Sequence, residues 1–322
     1  MSTLDQNSLE WIGCGKTALL ALPGSGREGT GPQEDALVND FTASGGVEFI
    51  LETGSISPAV RGCGEVPGLD TLSELIGEAG DPGDCSGLYE LAGRDEIGTV
   101  VLPPVAAEAA GLLEDFALQH PRLLFCCQVP AEAGLNADGR ERAGLRRPLP
   151  NLAILETRLP GSSSAAALAG YLEARDFFPL RTPSALDRSN LAIRSGAGRE
   201  EDSFPFPGEL RALVTWRRRQ GLRRSLEAGT RWAVFEYASS ALLRRVERQT
   251  RAFLHSLAVD GFLPFRNGFE LKVSMEGRQQ GDTDGFDRRL SIGVRTRFDA
   301  RDGVEVEQVL PAASVVVEES TV

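Results

Sequence analysis

The stretch IGTVVLPPVAAEAAGLLEDFALQHPRLLFCCQV, Ile97–Val129, decides the fold class. Its opening, IGTVVLP (97–103), is a continuous apolar run of strand length, and RLLFCCQV (122–129) is a second one. Between them, VAAEAAGLLEDFALQH (105–120) places its apolar residues at helical spacing. Strands buried on both faces lose the apolar/polar alternation of half-exposed ones, and two parallel strands need a crossover of about this length. The stretch therefore reads as a strand–helix–strand unit of a parallel sheet.

Similar signals extend toward the N-terminus. Thr17–Leu22 reads as a strand, entered through Gly13-Cys14-Gly15 and left through a Pro-Gly turn. EDALVNDFTASGG reads as a short helix stopped by Gly45 and Gly46, VEFILE (47–52) as a strand, and TLSELIGEA as helical. Toward the C-terminus, a polar insertion, NADGRERAGLRR, precedes the strand NLAILET, and GSSSAAALAGYLEARD reads as a helix with a serine-rich start. Residues 181–207 are long and irregular and are expected to hold a domain boundary or a reduced insertion.

Beyond them the pattern changes. Trp216–Ala228 is expected to be a basic helix closed by Gly229, and RWAVFE (231–236) a strand. Ser239 or Ser240 caps a long helix to Val259 whose apolar stripe includes Leu242, Val246, Phe253 and Leu257. FELKVSM and RRLSIGVRTRF alternate, and the turn DARDG leads into GVEVEQVL as a hairpin. The fold class expected is α/β, with βαβ units followed by a C-terminal α+β part with antiparallel strands. The expected domains are a short segment 1–15, an α/β domain 16–200 with insertions, a C-terminal core 201–298, and a hairpin strand and tail 299–322.

With 322 residues and 41% hydrophobic content, the chain can build a sizeable core. It holds no apolar stretch of about 18 residues, and MSTLDQNS lacks the basic and apolar regions of a signal peptide, so synthesis in the cytosol is expected. Five cysteines without CxxC spacing argue against disulfides and zinc. Two histidines, His120 and His255, leave little material for histidine-centred catalysis or metal binding. The formal charge is −12 and uneven: residues 211–251 carry eleven arginines against three acids, a net of +8, which leaves −20 on the remainder. Such polarity suits an acidic partner or a second copy of the chain.

Three motifs invite chemistry. GCGKT (13–17) ends like a phosphate-binding loop, but the glycine such a loop needs five positions before Gly15 is Glu10. A nucleotide-binding protein or enzyme using Gly13–Thr17 is the alternative that follows from it. GSSSA (161–165) and PGSG (23–26) are not Gly-x-Ser-x-Gly and read as a cap and a turn. GDTDGFD (281–287) lacks the full spacing of a calcium loop and reads as a solvated turn. The arginine clusters allow a second alternative, nucleic-acid binding, but no aromatic residues are interleaved for base stacking.

The segment TWRRRQGLRRSLEAGTRWAVFEYASSALLRRVERQTRAFLHSLAVDGFLPF, Thr215–Phe265, resembles the C-terminal core of contractile tail sheath proteins. In that family a basic helix ends in EEGT, a strand reads WVVFEPN, and an amphipathic helix carries FL near its end before a G-x-L turn. Leu226–Thr230, Arg231–Glu236, Phe253-Leu254 and Gly261-Phe262-Leu263 occupy those places in the same order. GLYELAGRDEIGTVVLPPV, ALVNDFTASGGVEFILE and KTALLALPGSGREG are similar to upstream strands of the family, so the likeness runs from Lys16 to Val294.

The departures are an N-terminal arm that is lacking, a reduced DSFPFPGELRALVTW, and a strand and apolar tail continuing beyond Val294. The resemblance implies a tail-sheath-like core and a structural subunit, not an enzyme, without cofactor or metal. Such subunits assemble in a helical lattice around an inner tube and exchange terminal strands with their neighbours. It implies as partners other sheath subunits, the tube protein, and baseplate or cap proteins, with no membrane. Assembly in the cytoplasm into a phage tail or tail-like particle follows, as a main, baseplate-proximal or cap subunit. On this reading Arg217, Arg218, Arg223, Arg224, Arg244, Arg245, Arg248 and Arg251 face an acidic tube or neighbour.

Overall fold

The computed structural model describes residues 9–20, 32–52, 69–80, 85–106, 110–130, 149–157, 163–176, 207–263, 269–279, 286–296 and 303–310. The chain divides into two compact units, Cys14–Arg218 and Met1–Gly13 with Arg219–Val322. The division falls later than the boundary read from the sequence at 200/201, because the helix that supplies Leu213 and Trp216 to the first unit begins at Pro207.

In the first unit, β1 (Lys16–Leu20), β2 (Phe49–Glu52), β3 (Ile97–Val101), β4 (Leu124–Pro130) and β5 (Leu152–Thr157) form one sheet in the order β2-β1-β3-β4-β5. Every pairing is parallel. The side-chain period of two distributes each strand between two cores. Phe125, Cys127 and Val129 of β4 join one apolar cluster, and Leu124 and Cys126 join the other.

Helices α2 (Leu69–Ile76), α3 (Leu88–Ala92) and α4 (Ala110–Gln119) cover the first face through Leu72, Leu75, Leu88, Leu91, Leu113 and Phe116. The opposite face is covered by α1 (Pro32–Ala43), α5 (Ser164–Ala174) and the first part of α6 (Pro207–Thr230). Coverage of both faces explains why the strands read as apolar runs: each Leu, Val or Phe so buried contributes about 1.5–3 kcal/mol.

Helix α5 is mostly apolar and is buried along Ser164–Glu173, as a helix enclosed by sheet and neighbours must be. Its small residues permit close approach: a Cβ on Gly170 would lie 2.2 Å from the Phe41 carbonyl oxygen. Ser163 caps it, its hydroxyl accepting from Ala166 N at 3.2 Å, which bears out the capping role read for the serine run.

The second unit holds the remainder of α6, a 3₁₀ turn over Arg231–Phe235, α7 (Ser240–Val259), and an antiparallel sheet β6-β7-β8. The strands of that sheet are Phe269–Gln279, Phe286–Thr296 and Gly303–Leu310. Ser239 caps α7, accepting from Leu242 N at 3.1 Å. Leu242, Val246, Phe253, Leu254 and Leu257 of α7 share a core with Leu290, Ile292 and Val294 of β7. Leu9 and Trp11 pack against this core, and Ile12 N donates to Ser225 Oγ at 3.1 Å.

Two expectations are corrected here. The basic helix does not close at Gly229 but runs to Thr230, whose hydroxyl donates back to the Leu226 carbonyl at 2.6 Å. RWAVFE is then a 3₁₀ turn rather than a strand. Only Ala233 in it is buried, because a helical turn lacks the alternating faces that the apolar pattern implied. The polar insertion, most of residues 181–207, PGSG and most of GDTDGFD lie outside the described residues.

Candidate functional site

The α6 arginines fall into two environments because a helix turns 100° per residue. Leu213, Arg217, Gly221 and Ser225 lie four apart, and all are buried. Arg217 therefore points inward at 1% exposure and meets Asp176 in a bidentate pair, Nε to Oδ1 at 2.7 Å and Nη2 to Oδ2 at 2.9 Å. Its Nη1 donates to the Thr99 hydroxyl, and its carbonyl accepts from the Cys14 thiol. Cys14 N donates to Asp176 at 3.2 Å. Burial alone would lower the guanidinium's pKa, but Asp176, Cys14 and Glu173 outweigh it and hold the group above its ordinary value.

A second buried carboxylate stands beside this one. Glu173 accepts from the Thr17 hydroxyl at 2.7 Å and from Val47 N and Glu48 N at 3.0 and 2.8 Å. It ties β1 to the segment entering β2. Arg218, 4% exposed, reaches the Arg175 carbonyl at 3.4 Å, and burial pushes its guanidinium down. Arg217 and Arg218 are thus structural residues, which corrects their assignment to a partner-facing surface.

The Gly13–Thr17 stretch is placed by the same network. Gly13 and Gly15 have φ of 68° and 98°, but Lys16 and Thr17 open strand β1 instead of the helix whose N-terminus would bind phosphate. Thr17 is committed to Glu173. The strand order matches doubly wound folds whose ligands sit beyond the strand C-termini, but residues 21–31, which follow β1, lie outside the described residues.

The other six arginines read as partner-facing, Arg223, Arg224, Arg244, Arg245, Arg248 and Arg251, are half-buried or exposed. Arg223 pairs with Glu227 at 2.9 Å, and Arg224 is half-buried on the same helix. On α7, Arg244, Arg248, Arg251 and His255 are exposed at spacings of four, three and four, one basic stripe along the outward face. Arg251 pairs with Glu247 at 2.8 Å. Arg245 stands 4.3 Å over the Trp232 ring and 3.6 Å from Glu236. Just before the stripe, Phe235 and Tyr237 are 85% and 75% exposed.

These aromatics escape the sequence reading because a strand pattern implies burial of one face. The helical period of α6, four residues from Leu213 to Arg217, is the signal that would have placed Arg217 inside.

Among the described residues, no group of three or more His, Cys, Asp or Glu could hold a metal ion. His120 is half-buried against Phe116 and Tyr89, with ring centroids at 4.3 and 5.5 Å. Burial depresses its pKa. No helix among the described residues is long and apolar enough to cross a membrane. No family model and no curated protein matches the sequence.

Proposed function

We propose that the protein is a structural subunit of a contractile tail sheath or phage tail-like injection apparatus, in the main lattice or at its baseplate-proximal or cap position. The observation that supports the reading is that the apolar residues of the motif, Leu226, Phe253, Leu254 and Leu263, share one buried core, although Arg231–Phe235, a strand in the family's pattern, is a 3₁₀ turn in this chain. A Cβ on Gly229 would lie 2.4 Å from Leu9 Cδ2, so a larger residue there would have to displace the Leu9 side chain. Gly261 ends α7 with φ of 80°. Phe253, Leu254 and Leu263 are buried in the core of the second unit.

The chain departs from a strand-donating subunit in one respect. Strand β8 pairs with β7 of its own chain along Arg288↔Leu310 to Arg295↔Gly303. A β8 held by its own chain is not the strand offered to a neighbour, which favours a specialised position over a main lattice position. Strand β6 remains the edge opposite β8.

Negative-stain electron microscopy of the protein, alone and co-expressed with its genomic neighbours, tests the proposal. Tubes, rings or decorated tail ends are expected. A monomer in every combination would refute it.

A further inference from the structure

The two units differ in charge. Counted from the sequence, Cys14–Arg218 holds 29 acids against 18 bases, a net of −11, while the rest of the chain holds 17 against 16, a net of −1. Among the described residues, Glu78, Glu90, Asp95 and Asp115 are exposed in the α2–α4 layer. Leu118, 39% exposed, stands three residues from Asp115 on α4 and adds an apolar spot beside the acids. Against this, α7 of the second unit exposes its basic stripe next to Phe235 and Tyr237.

We propose that this basic-aromatic face of one copy docks on the acidic α2–α4 layer of a second copy, a head-to-tail contact. Aromatic and arginine side chains are the residue types that anchor protein interfaces, and complementary charge sets their register. A nucleic acid fits this face less well, because Glu236 and Glu247 are interspersed among the arginines and would oppose phosphates. Meeting in a heterologous, head-to-tail way, the two patches leave one of either kind open on each copy, and the association propagates. The inference deepens the assembly reading above and rests on it for the expectation that copies meet.

Sedimentation velocity of the full chain tests it. The wild type is expected to associate at about 0.1 M salt and to dissociate at about 1 M, where the screening length falls from about 10 Å to about 3 Å. R244E/R248E and E90R/D115R, all at exposed positions, are each expected to weaken self-association by roughly tenfold or more, as like charges are brought together.

Mixing the two variants restores association, because each then offers the charge the other needs. Phe235→Ala weakens association while leaving the salt dependence in place. A wild type that stays monomeric at about 0.1 M salt overturns the inference, as do variants that associate like the wild type or a mixture that does not recover. Its failure is separable from that of the sheath reading. Tubes that form equally well from both variants would sink the contact and keep the sheath. Copies that associate through it but never build tubes or rings would do the reverse.

Discussion

Replacing Asp176 by alanine would leave Arg217, at 1% exposure, without its bidentate carboxylate partner inside the first unit. Two unit charges about 4 Å apart attract by about 4 kcal/mol at an effective dielectric of about 20. Removing one member of a buried pair costs about 3–5 kcal/mol, because the survivor keeps its desolvation penalty. The bidentate geometry, 2.7 and 2.9 Å, and the further bond from Cys14 N place D176A toward the upper end of that range. Against a typical total of 5–15 kcal/mol the loss is large.

Urea unfolding followed by far-ultraviolet circular dichroism should show a lower midpoint with an unchanged slope. R217M should cost less than D176A, because Asp176 would keep the hydrogen bond from Cys14 N. The double variant should be no less stable than D176A, since neither charge then remains. If D176A costs under about 1 kcal/mol, or the double-mutant cycle gives no coupling, the buried pair is not what holds α6 to the sheet.

His120 carries a depressed pKa, so the unfolded chain takes up its proton first as pH falls, and stability should decline below about pH 6.5; His120→Phe should flatten the unfolding midpoint between pH 7 and 5. Burial raises the Cys126 thiol to about 12 and the Cys127 thiol higher still, so a thiol reagent should modify both only after unfolding, whereas half-buried Cys85 reacts in the native protein. A Cβ on Gly98 would fall 1.8 Å from the Cys14 carbonyl oxygen, so Gly98→Ala should destabilise by about 3 kcal/mol on thermal unfolding. Ser163→Ala should cost about 1 kcal/mol by the same measurement, through loss of the α5 cap.

The parallel sheet was legible in the sequence because its strands are buried on both faces, and continuous apolar runs such as Leu124–Val129 have few other readings. Helix caps were legible for a local reason: Ser163 and Ser239 bond to amides three residues away. Trp232–Phe235 was misread because two apolar pairs in succession fit an alternating strand as well as a helical turn. The candidate site divided in the same way. Exposure of Arg244, Arg248 and Arg251 follows from the stripe opposite Val246, Phe253 and Leu257. The inward face of Arg217 was legible from its spacing to Leu213, but its partner Asp176 lies 41 residues earlier, and no local pattern encodes a partner at that distance.

The packing of Leu9 and Trp11 with α6 sets an order on synthesis. At about 5–20 residues per second, the ribosome needs roughly 10–40 s to travel from Trp11 to the residues that receive it. Gly221, whose Cβ would meet the Trp11 ring at 2.7 Å, is one of these. The parallel sheet can close during that interval, since β1 to β5 and α5 emerge first. Its keystone comes late: Asp176 waits for Arg217, which emerges only two residues before the second unit resumes at Arg219. A nascent chain therefore holds a nearly finished first unit whose buried Asp176 still lacks its guanidinium, and that unit becomes complete only after α6 clears the exit tunnel. Chains that stall before that point would carry the acidic layer without the basic face, and could be bound by a finished copy yet recruit none in turn.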